Sequence, residues 1–459
     1  MSSPESASAS AVSPPSDSAD SGARRALAVV VAIVFIDLLG FGVVIPILPF
    51  YVRSFGVSDV FIGFLAASYS IMQFLFAPIL GRISDQRGRR PVIMLSLVGS
   101  ILAWTVFGLA GEVGVVFGTT LAVSTLFTSR MLAGAMGGNI ATAQAYIADI
   151  TPPERRAGAL GLIGASFSLG FIFGPAIGGL MASDPVVTLA RDVFPAFVPA
   201  TRFSLPSFTA AFLSLVSLLF AFVFLREPDR QRAPAGSSTT TLVTQFRNAL
   251  ADDNLRGLVV AFFVVSVAFS GVQVMFIPFA ADVYGYGETE TALFLTYIGL
   301  LGTLNQGIVV GRLARRFAEA KLAVVGALGL MLSLALLPFS PDIGQFLPAV
   351  GGPAWFTPEL VALLLVGALL SFGNGMLNVS LSTLVSTSAS AETQGNAFGV
   401  TQGAGSLGRT VGPPSMAALY VLTYWSPFVV GAVLIVPVVY ILLSIARRPR
   451  IVAGERQTD

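Results

Sequence analysis

Two charged side chains stand where a bilayer normally excludes them. Asp37 lies in the run FIDLLGFGVVIPILPFY, and Arg130 lies inside a second apolar run. Asp37 is about eleven residues from the start of its segment. At about 1.5 Å per residue, that depth is near the middle of a bilayer. It is the only acid clearly inside an apolar span, since Asp149 falls at a span's end. Burial favours the neutral form of a lone carboxylate, so such an acid can load and release a proton near neutral pH. The chain has no histidine and no cysteine. The usual proton shuttle, the commonest metal ligand and all thiol chemistry are therefore missing. Asp37 is the leading proton carrier, and no metal site or cofactor is expected. A third intramembrane charge, Arg409, needs a partner or water and is read as structural.

The elements that must position these groups are membrane helices. Of 459 residues, 54% are hydrophobic and only 11% charged, against about 25% charged in soluble domains. A bilayer core takes roughly 20 apolar residues per helix. Spans of that kind fall near 26–50, 60–81, 91–111, 119–147, 157–183, 207–225, 257–281, 290–310, 322–340, 359–384, 396–421 and 427–446. The expected fold is all-α, with twelve transmembrane helices in two pseudo-symmetric six-helix bundles. Residues 1–25 read as a disordered tail, rich in Ser, Ala and Pro and lacking a signal-peptide core. Residues 26–225 and 257–446 form the two bundles, 226–256 a polar linker, and 447–459 a second tail. Two loops, about 184–206 and 341–358, are long and rich in Pro and aromatics. Arginine placement sets the orientation. With the N-terminus cytoplasmic, 21 of the 26 basic residues face the cytoplasm and only Arg53, Arg191 and Arg202 lie outside. This bias in short loops predicts a multi-pass protein of the cell membrane with both termini cytoplasmic.

Glycines carry the clearest internal pattern. Gly161, Gly170, Gly174, Pro175, Gly178 and Gly179 read G-x8-G-x3-G-P-x2-G-G within the fifth span. Glycines three or four residues apart leave a smooth stripe on which another helix can pack closely. Gly399, Gly408, Gly412 and Pro413 repeat the pattern 238 residues later. An offset of half the chain indicates a duplicated half-protein rather than a short repeat.

The loop after the second span reads Gly81-Arg-Ile-Ser-Asp85-Gln-Arg87-Gly88-Arg89-Arg90. It resembles the G-x-x-x-D-R-x-G-R-R element of the major facilitator superfamily, departing from it at Gln86. The resemblance covers nearly the whole chain after residue 25. It implies that Gly81, Asp85, Gly88 and Arg89 latch the halves on the cytoplasmic side in the outward-open state. The second-half counterpart, Gly311 to Ala318, has lost the acid. The fifth-span glycines resemble the family's antiporter motif, associated with proton-linked export. Arg130 with Gly134 resembles its R-x-x-x-G element, which implies a part for Arg130 in proton transfer. The Asp37 segment, with its Gly42-x-x-x-Pro46, resembles the first helix of tetracycline-type exporters. In the family, helices one, four, seven and ten line the central path. Of the span amides, which include Gln73, Gln144, Asn305 and Gln306, that selects Asn139, Gln273, Asn374 and Asn378, with Phe269 and Phe276 as apolar surface.

The expected function is secondary active transport: proton-coupled efflux of small amphipathic, drug-like compounds by alternating access. Proton-linked or facilitated uptake of a metabolite, such as a sugar or organic acid, is the alternative. No nucleotide-binding P-loop, H-E-x-x-H or paired intramembrane aspartates occur, so neither direct ATP drive nor an enzyme is expected. The expected partners are the small-molecule substrate, protons and the lipid bilayer, with no nucleic acid, and a monomer.

Overall fold

Chain punctuation in the computed structural model follows local chemistry. It describes residues 17–447 except 138, 196, 229–241, 253–254, 349–352, 354–355 and 389–393. The first half comprises α1 (Asp17–Val44), α2 (Leu48–Ser54), α3 (Val60–Arg87), α4 (Arg89–Phe117), α5 (Thr119–Met136), α6 (Asn139–Ile150), α7 (Pro153–Ala182), α8 (Asp184–Val193) and α9 (Ser204–Phe224). A short helix, α10 (Leu242–Ala251), lies within the linker. The second half comprises α11 (Arg256–Tyr284), α12 (Glu288–Leu304), α13 (Gly311–Ala314), α14 (Glu319–Leu336), α15 (Ser340–Gln345), α16 (Pro358–Ser388), α17 (Gln394–Leu422) and α18 (Ser426–Arg447). Between α12 and α13 the helix loosens into a π turn over Asn305–Val310.

Each of the twelve expected spans falls on helix, and no strand occurs among the described residues. Among the described residues, ten helical stretches are long and apolar enough to cross a membrane. The fourth and eleventh spans are the exceptions. The fourth breaks at Gly137, between α5 and α6. The eleventh, α17, is a continuous helix of 29 residues diluted by Gln402, Ser406, Arg409 and several glycines. Helix α1 begins at Asp17, inside the segment expected as a tail; residues 1–16 and 448–459 lie outside the described residues. The long loop 184–206 folds back through α8, whose Val187 and Ala190 bury against Leu205.

The duplication reappears in the helix contacts. In the first half α1 packs on α7 and α9, and α4 on α5 and α9. In the second half the equivalents recur: α11 on α17 and α18, and α14 on α16 and α18. The halves meet mainly along α3 with α17 and α7 with α12, which are again an equivalent pair. The glycine stripe packs closely on α1. A Cβ added at Gly174 would sit 2.5 Å from Gly42 Cα, and one at Gly170 would sit 3.1 Å from Leu38 carbonyl carbon. One at Gly178 would collide with the Val43 carbonyl oxygen. Gly408 faces Phe263 and Ser266 in the second half in the same manner. Gly179 turns away to meet Ala292 and Thr289 of α12. Gly161 has open space around it, and α7 runs unbroken through Pro175.

The apolar core is not uniform along the bundle. One cluster joins both halves, combining Ile47, Tyr51, Ile62 and Leu65 with Met275, Phe279, Phe294 and Tyr420. It lies at the end that carries Arg53. Toward the opposite end, which carries Arg89, the clusters stay within one half: Ile33, Ile93, Tyr146 and Ile163 in the first, Leu258, Leu330, Leu381 and Ile435 in the second.

Candidate functional site

Between the halves lies a cavity of about 620 Å³. Helix α1 contributes Asp37 and Phe41, α3 contributes Tyr69 and Gln73, and α4 contributes Ser100 and Trp104. Gln144 enters from α6, Phe167 and Phe171 from α7, and Ser406 and Arg409 from α17. A mostly apolar wall, part of it aromatic, with polar groups set into it is the usual make-up of a small-molecule site.

Asp37 is half-buried, with the Ser214 hydroxyl 3.5 Å from its Oδ1. Arg130 is 5% exposed and sits behind the wall rather than in it. Its guanidinium carbon lies 4.7 Å from the Tyr69 ring centre, 5.3 Å from Trp104 and 5.7 Å from Phe41. Its Nε makes no hydrogen bond among the described residues. Three aromatic faces thus replace the carboxylate that an intramembrane arginine usually requires. Arg409 arrives from the other half. It is half-buried, and its hydrogen bond is an Nη2 donation to Ser406 Oγ at 2.9 Å. Tyr69 lies within electrostatic range of Asp37, Arg130 and Arg409 together.

Of the amides and phenylalanines selected from the sequence, Phe269, Gln273, Phe276, Asn374 and Asn378 are not on the wall of this cavity. Phe276 is 3% exposed and stacks on Phe294 with ring centres 4.6 Å apart, a core position on the face of α11 turned to α12. Phe269 packs half-buried beside the second-half core. Gln273 is exposed, and Asn378 donates to the Asn374 carbonyl and Oδ1, both at 2.9 Å. None of these five lines the cavity that holds Asp37. Asn139 opens α6 next to the lining residue Ile140, but its side chain lies outside the described residues. Gln73 and Gln144 hold the lining positions instead.

The loop between α3 and α4 is tied down by charge. Arg89 Nη1 lies 2.7 Å from Asp85 Oδ1, and its Nε donates to Asp149 Oδ2 at 2.9 Å. Gly88 adopts φ 114°, a conformation that side chains rarely take. Glu227, just beyond α9, lays its carboxylate across the first backbone N–H groups of α4. Its Oε1 accepts from Arg89 N at 2.6 Å and its Oε2 from Arg90 N at 2.8 Å. A carboxylate at a helix N-terminus is favourable for both the free N–H groups and the helix dipole. Gly81 has open space around it. These contacts join α3, α4, α6 and the segment after α9, all in the first half.

At the opposite end, charge joins the halves. Arg53 donates to Asp59 through Nε and Nη2, at 2.8 and 2.7 Å, and to Asp282 through Nη1 and Nη2, at 2.7 and 2.8 Å. The Tyr420 hydroxyl donates to Asp282 Oδ2 at 2.7 Å. Neither Glu227 nor the Arg53 cluster was selected from the sequence. Each is a charge at the end of an apolar run, and its partner is far away along the chain.

Comparison with known proteins agrees with this architecture. The family model for the Major Facilitator Superfamily matches residues 30–351. The chain is 30% identical over 419 residues to a class C tetracycline resistance protein of Escherichia coli, covering 90% of this chain and 94% of that protein. It is 28% identical over 406 residues to multidrug resistance protein 1 of Bacillus subtilis (strain 168), covering 88% and 91% respectively. Among solved structures, an inward-facing, unoccupied bacterial homologue of the human lysosomal transporter Spinster superposes with a TM-score of 0.69. It is 15% identical and is matched over 93% of this chain and 97% of that one. With its twelve helical spans, duplicated halves and a cavity between them, the chain belongs to the Major Facilitator Superfamily of membrane transporters.

Proposed function

We propose that this transporter exports small amphipathic compounds in exchange for protons, with Asp37 as the proton carrier. The observation that carries the reading is Asp37 itself, an acid at membrane depth on the wall of the cavity between the halves. The tetracycline and multidrug resistance relatives support export of drug-like cargo. The arginine bias supports cytoplasmic termini. In that orientation the Arg53 end faces outward, and the apolar cluster and ion pairs there close the cavity from outside. Alternating access then requires those contacts to part while the Arg89 end closes. Arg130, held by its three rings, bears on the charge balance around Tyr69 and Asp37. The loop of Gly81, Asp85, Gly88 and Arg89 serves as the latch of the cytoplasmic end, and the packed stripe from Gly170 to Gly178 holds α7 close against α1, with Gly179 turned to α12.

The test is uphill accumulation of labelled amphipathic compounds in everted membrane vesicles with an imposed pH gradient. The wild type is expected to accumulate compound and to collapse the gradient as it does so. Asp37→Asn should abolish both while the purified protein keeps its melting temperature. Undiminished uphill accumulation by Asp37→Asn removes the proton role, and accumulation only in right-side-out vesicles replaces export with uptake.

A further inference from the structure

The cavity holds an arginine that no carboxylate pairs with directly among the described residues. Its charged and titratable groups are Asp37 on α1, Tyr69 on α3 and Arg409 on α17, with Arg130 on α5 behind the aromatic wall. Arg130 is enclosed by three π faces, though its Nε has no hydrogen-bond partner among the described residues. Arg409 is not enclosed in any comparable way. Its hydrogen bond goes to a neutral hydroxyl one turn back on its own helix, and no carboxylate pairs with it among the described residues. A guanidinium presents five donors in a planar fork suited to a carboxylate or phosphate. Half-buried and without a direct carboxylate contact among the described residues, it keeps donors open to an anionic group.

The two halves therefore offer opposite charges to one space, Asp37 from the first and Arg409 from the second. Resting on the export reading above, we propose that the preferred cargo is dipolar, with an anionic group received by Arg409 and a cationic or hydrogen-bond-donating group received by Asp37. Exchange chemistry requires the second half of that statement. A purely anionic cargo beside Asp37 stabilises the protonated acid, so cargo and proton bind together and travel the same way. A cationic group beside Asp37 stabilises the carboxylate, and the proton leaves to water as the cargo arrives. The aromatic wall of Phe41, Trp104, Phe167 and Phe171 supplies the apolar body of such a site. Because the two charges belong to different halves, a dipolar cargo bridges the surfaces that alternating access must move.

A set of xanthene dyes with one skeleton separates the cases: a zwitterion with amine and carboxylate, its cationic ethyl ester, and an anionic analogue without the amine. Binding to purified protein is read by dye anisotropy at constant pH. The wild type is expected to bind the zwitterion about tenfold more tightly than either relative, as one well-placed charge contact allows. Arg409→Gln should abolish the preference over the ester by weakening zwitterion binding and not ester binding. Arg409→Lys, which keeps the charge, should retain part of it and decides the matter if Arg409→Gln fails to fold. Equal or tighter binding of the ester by wild type overturns the proposal, whether or not the dye is exported. So does an undiminished preference in Arg409→Gln, or a failure of all three dyes to bind. Zwitterion preference without gradient-driven movement in everted vesicles upholds the dipolar site and overturns the export reading instead.

Discussion

Arg53 Nη1 stands 2.7 Å from Asp282 Oδ1, an ion pair between two residues 229 positions apart that belong to opposite halves. Asp59 and the Tyr420 hydroxyl complete the cluster, and the shared apolar core lies at the same end. This end of the molecule is held shut by charge laid over an apolar seal.

Removing the charge should loosen that seal without unfolding either half. Arg53→Ala or Asp282→Asn is expected to raise the population open at the Arg53 end severalfold, since a partly exposed pair contributes on the order of 1 kcal/mol. The chain has no cysteine, so one introduced at Gln73 on the cavity wall reports directly. Labelling by an impermeant maleimide from the Arg53 side should speed up in either variant. Unchanged labelling would show that the apolar cluster alone keeps the halves together.

The glycine stripe predicts a sharp contrast within one motif. Gly174→Ala places a methyl 2.5 Å from Gly42 Cα, whereas Gly161→Ala meets nothing within 4 Å. Overpacking of this kind costs about 1–3 kcal/mol. The first variant should lower the melting temperature in detergent and reduce transport, and the second should leave both at wild-type values. Equal effects would mean that the glycines act through backbone flexibility and not through close approach.

Glu227 should behave as the cap of α4. Its carboxylate accepts the backbone N–H groups of both Arg89 and Arg90, and helix N-terminal carboxylates contribute roughly 0.3–1 kcal/mol when exposed. Glu227→Ala is expected to lower thermal stability by that small amount and to speed amide exchange at the start of α4. Glu227→Gln, which keeps one acceptor, should fall between. Amide exchange unchanged in both would remove the cap.

The cage around Arg130 makes a fourth prediction. Tyr69→Phe keeps the ring under the guanidinium, and Tyr69→Leu removes it. With the charge 4.7 Å from the ring centre, a desolvated cation–π contact is worth about 2 kcal/mol. Tyr69→Leu should destabilise the protein by about that amount relative to Tyr69→Phe and depress transport further than it does. Equal losses would assign the role to the hydroxyl instead.

Apolar run length, arginine bias and the half-chain repeat are local properties of the polymer. They determined the helical class, the twelve spans and the duplicated halves, because a bilayer imposes one length and one hydrogen-bonding solution on every segment that crosses it. Asp37 was legible for the same reason, as an acid at the wrong depth. The cavity itself was not legible. Asp37 and Arg409 share it only because α3 packs on α17 and α7 on α12, a choice that depends on how two whole bundles lean together. Gln73 and Gln144 face the cavity while Phe276 is spent on Phe294, a matter of helix rotation that amide or aromatic identity does not encode. The pairings of Arg53 with Asp282 and of Glu227 with the start of α4 likewise exist only once distant span ends are brought side by side. Composition sets which groups a membrane will tolerate, and tertiary packing decides which of them meet.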